Sequence, residues 1–155
     1  MLTRWYKAPE LPPEVFAVWR KPNRALSPVA IVATVDADGT PRSAPFGSLR
    51  AITPCLLRFS PTHYQTTFAN LCRDGRVMVT MVAAPNIAVS ARGQARIVRE
   101  RMGMNANRAL VEIDIAEVKN DMVATLVIEN GITISVRDEY REMFESMAAA
   151  VEESS

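Results

Sequence analysis

The chain has few of the residues on which covalent and metal chemistry usually depend. Its 155 residues include only two cysteines, Cys55 and Cys72, and one histidine, His63. Two cysteines are too few for a disulfide framework, and their apolar neighbours predict reduced thiols packed in the interior. One histidine argues against a histidine metal centre, and no G-x-S-x-G turn is present to carry a serine nucleophile. We therefore predict no metal site and no catalytic side chain.

Long apolar runs and blocks of like charge are also absent. No apolar run approaches the roughly 18 residues of a membrane span, and the first residues lack the apolar core of a secretion signal. With 18 basic and 17 acidic residues the net charge is +1, so neither a nucleic-acid partner nor a membrane partner is indicated. Glycine-rich nucleotide loops, C-x-x-C and H-E-x-x-H are missing as well. These absences predict a cytoplasmic protein in which an organic cofactor supplies any difficult chemistry.

Short apolar segments separated by turn residues dominate the rest of the chain. They predict strands at 28–35, 41–50, 55–60, 77–84, 87–98 and 109–118, and a last strand or strand pair at 123–128 and 132–136. Helices are predicted at about 13–20, from 62 or 63 to 73, and at about 138–152. Helices do not alternate with strands, so the pattern favours a mainly β fold, an antiparallel closed barrel or sandwich. The length suits a single domain over 1–155, with its core at about 28–136.

Hydroxyl groups cluster where the third strand runs into a helical segment. Ser60, Thr62, Thr66 and Thr67 lie there, and a phosphate group binds hydroxyls, backbone N–H groups at a helix start and cationic side chains. Arg50 and Arg58 are nearby cations in sequence. Taken alone, the two later threonines are better explained as a helix cap. Together with the pattern around them, they favour phosphate binding.

A run of mostly small residues precedes this cluster. It comprises Ala44, Pro45, Phe46, Gly47 and Ser48. Glycine inside a strand often marks a close approach of another group to the backbone, although it also suits a bulge. A flat ring with a polar edge needs such access to peptide groups. The two features together fit flavin mononucleotide (FMN), which has an anionic phosphate and a flat ring.

Five segments in this order resemble the FMN-binding split-barrel superfamily. They are VATVDADGTP, SAPFGSL, LRFSP, TTFANLCRDGRVMV and ARGQARIV, within about Val29 to Val98. The superfamily includes pyridoxamine 5'-phosphate oxidase-like proteins, small FMN-binding proteins and flavin reductases. The resemblance implies an antiparallel split β-barrel with flanking helices. It also implies a homodimer with non-covalently bound FMN at its interface.

The resemblance also implies the positions of the cofactor contacts. The turn and helix before Asn70 hold the phosphate, with Thr67 as a ligand, while Phe59 and Ser60 lie near the ribityl chain. The residues predicted to bind the cofactor are therefore Ala44, Pro45, Phe46, Gly47, Ser48, Arg50, Phe59, Ser60, Thr66, Thr67 and Asn70.

Departures from the family pattern bear on function. Many relatives have a lysine shortly before the asparagine, where this chain has Thr66 and Thr67, so Arg50, Arg58 or an arginine of the partner would meet the phosphate. The oxidase itself has an arginine at the position of Ala44 and a C-terminal substrate segment with arginine and histidine. We find no such segment here, which disfavours genuine pyridoxamine-phosphate oxidation.

The expected activity is electron transfer through FMN from a small-molecule donor, such as a nicotinamide cofactor, to a small acceptor. The alternatives are a non-enzymatic FMN carrier or redox sensor and a deazaflavin- or heme-binding relative. A further alternative is a dimeric interaction module that has lost its cofactor.

Overall fold

An eight-stranded antiparallel sheet forms the body of the protein, whose computed structural model describes residues 5–153. The strands are β1 (Lys7–Ala8), β2 (Ala30–Val35), β3 (Pro41–Phe46), β4 (Arg50–Thr53), β5 (Leu56–Phe59), β6 (Arg76–Ala83), β7 (Ile87–Arg99) and β8 (Leu110–Asn120). The helices are α1 (Pro13–Trp19), α2 (Thr66–Arg73) and α3 (Arg141–Glu153), and a 3-10 turn at Asp138–Tyr140 precedes α3.

The strand order requires the sheet to curl on itself. The strands are arranged β3-β2-β6-β7-β8-β5-β4, and β1 pairs with the end of β8. The two edge strands, β3 and β4, are joined only by residues 47–49. Such a short connection brings the two edges of the sheet close together. The mainly β, antiparallel split barrel predicted from the sequence is therefore confirmed.

Period-two alternation places the core inside this barrel. On β6, Val77, Val79, Met81 and Ala83 are buried, and Met78 and Val82 between them are exposed. Helix α1, with proline in its first turn as helices tolerate, adds Trp19, which is fully buried. Full burial of a large apolar side chain contributes roughly 1.5–3 kcal/mol.

The longer helices pack on different strands. Helix α2 packs on β2, while α3 packs on β5. A second apolar cluster joins α3 to the strands below it through Met102, Leu110, Met147 and Val151. Within residues 5–153 we find no helix whose length and apolarity would suit a membrane span.

The strands predicted at 123–128 and 132–136 are not formed. This segment is irregular and meets the start of β2 through isolated bonds, Val29 N–H to the Ile132 carbonyl (2.8 Å) and Ile134 N–H to the Ser27 hydroxyl (3.0 Å). Pro28, between these contacts, has no N–H, so a regular ladder does not continue there. The prediction was wrong because β-branched residues favour a strand only where a neighbouring strand can pair.

Two further expectations need correction. The strand predicted at 41–50 is divided into β3 and the start of β4, because the chain crosses the split at residues 47–49. Both cysteines are exposed and not packed in the interior. Cys55 lies in the turn before β5, and Cys72 lies on the outward face of α2.

Candidate functional site

The loop between β5 and α2 forms a corner that ends in an uncapped helix. Thr62 N–H donates to Gln65 Oε1 over 2.8 Å, so the Gln65 side chain closes the loop and does not cap α2. Within residues 5–153, neither the backbone N–H nor the hydroxyl of Thr66 or Thr67 has a hydrogen-bond partner. The first N–H groups of a helix attract anions because they lack intrahelical acceptors and lie at the positive end of the helix dipole. The donors of this corner therefore fit an anionic group.

Asn70 holds this corner in place. Its side chain is buried and donates to Thr34 Oγ1 (3.0 Å) and Asp36 Oδ1 (2.8 Å), and it accepts a bond from Arg73 (3.2 Å). The bond from Asn70, followed by that from Arg42, lowers the pKa of Asp36. Asn70 thus fixes α2 to the β2–β3 hairpin. It acts on Thr66 and Thr67 through the position of the helix, since its amide nitrogen and oxygen already have partners.

Two serines tie the corner to the end of β3. Ser48 and Ser60 are both buried, and Ser60 N–H donates to Ser48 Oγ over 3.0 Å. The Ser60 hydroxyl donates to Met102 Sδ at 3.3 Å. The two predicted halves of the site, residues 44–48 and 60–70, therefore meet at this serine pair.

The segment 44–48 offers backbone and not side chains. Phe46 and Phe59 are buried and meet edge to face inside the barrel, with ring centroids 4.9 Å apart. Pro45 is exposed, and Ala44 is half-buried. Because β3 is an edge strand, paired only with β2, some of its peptide groups face away from the sheet. A polar ring edge could bind to such groups.

Gly47 lies in a tight position at this end. A Cβ atom there would lie 3.0 Å from Ile134 Cδ1 and 3.3 Å from Leu26 Cβ. A side chain at this position would press on Ile134 and Leu26, so the packing of the chain itself favours glycine. The irregular segment that contains Ile134 covers part of this strand end.

Arg50 and Arg58 are not free cations. Arg50 is fully buried, and its guanidinium donates to Glu152 Oε1 of α3 over 2.5 Å and to three backbone carbonyls. Arg58 Nε donates to Glu112 Oε2 over 2.7 Å. Because carboxylates already neutralise both arginines, the geometry does not favour the phosphate role considered for them.

Arg108 is a further cation beside Ser60. It lies opposite Thr62 in an isolated bridge, and its Nη1 donates to the Ser60 carbonyl over 2.8 Å. Its Nε is buried without a partner, its guanidinium lies 5.5 Å from the Phe144 ring centroid, and no carboxylate of residues 5–153 pairs with it. Burial lowers the pKa of this group. No sequence signal marks Arg108, since its place depends on the non-sequential pairing of β5 with β8.

No side chain in this region is arranged as a catalytic acid, base or metal ligand. His63 lies 2.5 Å from the Glu100 carbonyl through Nε2 and stacks on Phe68, with ring centroids 4.6 Å apart. In the part of the chain described, no three His, Cys, Asp or Glu residues form a group able to hold a metal ion. What the site offers is free donors and backbone groups, which bind and orient a ligand.

Comparison with known proteins identifies a family whose model matches this chain. Residues 19–122 match the family model described as pyridoxamine 5'-phosphate oxidase. Similar solved structures include a candidate pyridoxamine 5'-phosphate oxidase from Lactobacillus delbrueckii, 23% identical, with a TM-score of 0.60 over 74% of this chain and 98% of that one. An F420 reductase is 15% identical, with a TM-score of 0.57 over 70% and 98%. An FMN-binding protein from Syntrophomonas wolfei is 14% identical, with a TM-score of 0.54 over 71% and 88%.

At these identities the structural likeness shows the fold alone. A search of curated proteins finds no match. The family model, however, spans most of the chain, from the end of α1 to just past β8. The chain therefore belongs to the pyridoxamine 5'-phosphate oxidase family of FMN-binding split barrels.

Proposed function

We propose that the protein is a flavoprotein that binds FMN and passes electrons through it between small molecules. The observation that carries this proposal is the uncapped start of α2, where Thr66 and Thr67 have free N–H groups and free hydroxyls. Family membership supports it. So do the names of two similar structures, an FMN-binding protein and an F420 reductase.

In this proposal the phosphate binds at the start of α2. Thr67 donates to it as the sequence predicts, and Thr66, which is exposed, donates beside it. Arg108 supplies the positive charge in place of the lysine of many relatives, because it lies beside Ser60 and has no carboxylate partner. A half-buried cation without a counter-charge gains most from an incoming anion.

The ring lies along the β3 edge in the same proposal. Peptide groups of residues 44–48 meet its polar edge, and Ser60 lies near the ribityl chain, held by its bond to Ser48. When bound, FMN supplies the hydride and electron chemistry. The residues of the chain bind it, fix its orientation and exclude water from one side. Hydride transfer needs no acid or base side chain, which agrees with a site that has none in place.

We further propose that a second copy of the chain covers the outer face of β2 and β6. The outward residues Ile31, Ala33, Met78 and Thr80 pair across these strands and carry no charge. Met78 and Val82 are 38% and 41% exposed, and uncharged patches of this kind are typical of interfaces. FMN would then lie between the two copies. Light scattering should give twice the chain mass, and Met78→Glu should give monomers with weakened FMN binding.

Comparing FMN with riboflavin tests the phosphate assignment, because riboflavin lacks only the phosphate. Thr67→Ala should weaken FMN binding by about tenfold, the value of one hydrogen bond to a charged group, and leave riboflavin affinity unchanged. Arg108→Met should do the same, while Thr125→Ala, at an exposed position, should change neither. Equal losses of affinity for FMN and riboflavin would show that the phosphate does not bind at this corner. Absence of any flavin binding, judged by absorption after reconstitution, would overturn the function.

A non-enzymatic FMN carrier or redox sensor is the second candidate, because the free donors at the start of α2 would bind the cofactor whether or not the bound flavin turns over. It predicts bound flavin with negligible oxidation of NADH or NADPH. Binding of a deazaflavin more tightly than FMN would instead identify a deazaflavin relative. Pyridoxamine-phosphate oxidation is disfavoured, since His63, the single histidine, is bound to the Glu100 carbonyl. The cytoplasmic location suggested by the sequence stays a prediction.

A further inference from the structure

A buried lysine lies directly behind the end of β3. Lys21 is 2% exposed, and its ammonium donates to the carbonyls of Leu26 (2.9 Å), Pro28 (3.2 Å) and Gly47 (2.7 Å). Three donated bonds use all the hydrogens of the ammonium group, so this geometry suits its charged form. The backbone of Lys21 has φ of 44°, in the left-handed region that side chains rarely adopt. Lys21 adopts this conformation, and from there its ammonium reaches the Gly47 carbonyl.

Arg50 adds a second buried cation beside it. Its guanidinium donates to the carbonyls of Lys21 (3.1 Å), Ala25 (2.7 Å) and Ser48 (3.2 Å) and to Glu152 Oε1. The loop after α1 is therefore folded around two cations. Glu152 is the carboxylate that contacts Arg50, and its side chain is 24% exposed at the surface. The cluster carries one more positive charge than negative charge.

Burying two like charges costs free energy of folding, and this chain nevertheless buries both Lys21 and Arg50. Desolvation, and then the charge of Arg50, lower the pKa of Lys21 to about 7. An apolar residue at position 21 would avoid this cost. The carbonyls that the cluster holds include those of Gly47 and Ser48, in the segment proposed to lie along the flavin ring. In the proposed complex, this positive charge lies beside the flavin ring, which gains electrons on reduction.

We propose that the Lys21–Arg50 cluster makes the protein bind reduced flavin more tightly than oxidised flavin, and so raises the reduction potential of the bound cofactor. This inference rests on the proposed function. Reduction adds negative charge to the ring, and a fixed positive charge in a site of low polarity stabilises it. By linkage, the ratio of the oxidised to the reduced dissociation constant measures the same effect as the potential. Lys21 is here a positioning and electrostatic residue that does not contact the reacting atoms.

Two variants that change the net charge of the cluster in opposite directions test this proposal. Lys21→Gln removes the excess charge and keeps an amide donor, and it should lower the ratio of oxidised to reduced FMN dissociation constants by about tenfold. Glu152→Gln removes the counter-charge, keeps an acceptor for Arg50 and should raise the ratio. Lys7→Gln, at an exposed lysine with a 3.8 Å contact to Glu117, is the control and should leave it unchanged. The readout is the potential of bound FMN, measured anaerobically against a reference dye at about pH 6, where Lys21 with its pKa of about 7 is charged.

A merely structural role would move both variants in the same direction, toward weaker binding in both redox states. That result, or an unchanged ratio in a folded Glu152→Gln protein, would overturn the inference while leaving the flavoprotein assignment intact. Glu152 is at the surface, so its variant decides the matter if Lys21→Gln does not fold. If the wild-type chain binds no flavin, the proposed function and this inference both fail.

Discussion

Replacing Glu112 by glutamine removes one negative charge from a cluster of two arginines while keeping the shape of the side chain. Glu112 is 8% exposed, accepting from Arg58 Nε at 2.7 Å and from Arg96 Nη2 at 2.6 Å. Arg58 is itself buried, and Arg96 is half exposed. Burial raises the pKa of Glu112, but the hydrogen bonds and charges of Arg58 and Arg96 outweigh it, and the net shift is downward. The folded protein therefore needs the ionised carboxylate.

The expected cost is set mainly by Arg58. Removing one partner of a buried ion pair costs about 3–5 kcal/mol, because the other charge is left uncompensated. Glutamine can still accept one hydrogen bond, and Arg96 can turn to solvent. We therefore expect a loss of about 2–3 kcal/mol in the free energy of unfolding. Asp114→Asn is the matched control, since Asp114 pairs with the same Arg96 but is 62% exposed. An exposed pair contributes about 0–1 kcal/mol.

Urea unfolding, followed by the fluorescence of the buried Trp19 at one protein concentration, measures both variants. A loss of about 2–3 kcal/mol corresponds to a midpoint shift of about 1–2 M. The Glu112 pKa is lowered on folding, so its stabilisation is present above the unfolded value of about 4.3 and is lost as pH falls below it. The difference between the wild type and Glu112→Gln should therefore shrink below about pH 4. If Glu112→Gln costs no more than Asp114→Asn at pH 7, Glu112 does not neutralise a buried charge in the folded protein.

Three further predictions concern other parts of the chain. Gly93→Ala should lower the melting temperature by several degrees, because a Cβ there would lie 2.1 Å from the Asp114 carbonyl oxygen. Gly103→Ala is the control and should be neutral, since a Cβ there would have no atom within 4 Å. Equal melting temperatures for the two variants would contradict this prediction. Lys21, with its pKa lowered to about 7, binds its proton more weakly in the folded state than in the unfolded state. Stability should therefore rise from about pH 7 to about pH 10.5, by at most about 4–5 kcal/mol, and Lys21→Gln should remove this rise in urea titrations. Both exposed cysteines should react with a thiol reagent without denaturant. Cys72 should require a higher pH, because partial burial raises the pKa of its thiol. A thiol that reacts only in denaturant would contradict the exposure of that cysteine.

The sequence predicts the barrel well where one residue in two faces the core. Strands β6 and β7 show this alternation, and their observed bounds lie within a residue or so of the predicted ones. The segment after residue 121 has equally suitable β-branched residues, yet it forms no strand, because the adjoining chain at Pro28 lacks an N–H for a ladder. Local pattern predicts whether a strand is possible. Whether a partner edge is available depends on the whole fold.

The candidate site divides in the same way. The hydroxyl-rich corner could be predicted, since Thr66 and Thr67 are local to the start of α2. The partners of the arginines could not, because they come from distant segments. Glu112 pairs with Arg58 across β5 and β8, and Glu152 reaches Arg50 from α3. Glu112, a charged residue that sequence alone would place in solvent, is buried beside Arg58.

The pairing of Arg50 with Arg58 across β4 and β5 explains why neither is available to an anion at the corner. The two arginines are direct cross-strand neighbours, and like charges in that position repel. Each is tolerated because a separate carboxylate, Glu152 or Glu112, neutralises it from a different element. Moving either arginine to a phosphate would take a buried cation away from the carboxylate that neutralises it, Glu152 or Glu112. A cation that can meet a phosphate without this cost must lack a carboxylate already, and Arg108, held by the Ser60 carbonyl with a free buried Nε, satisfies that condition.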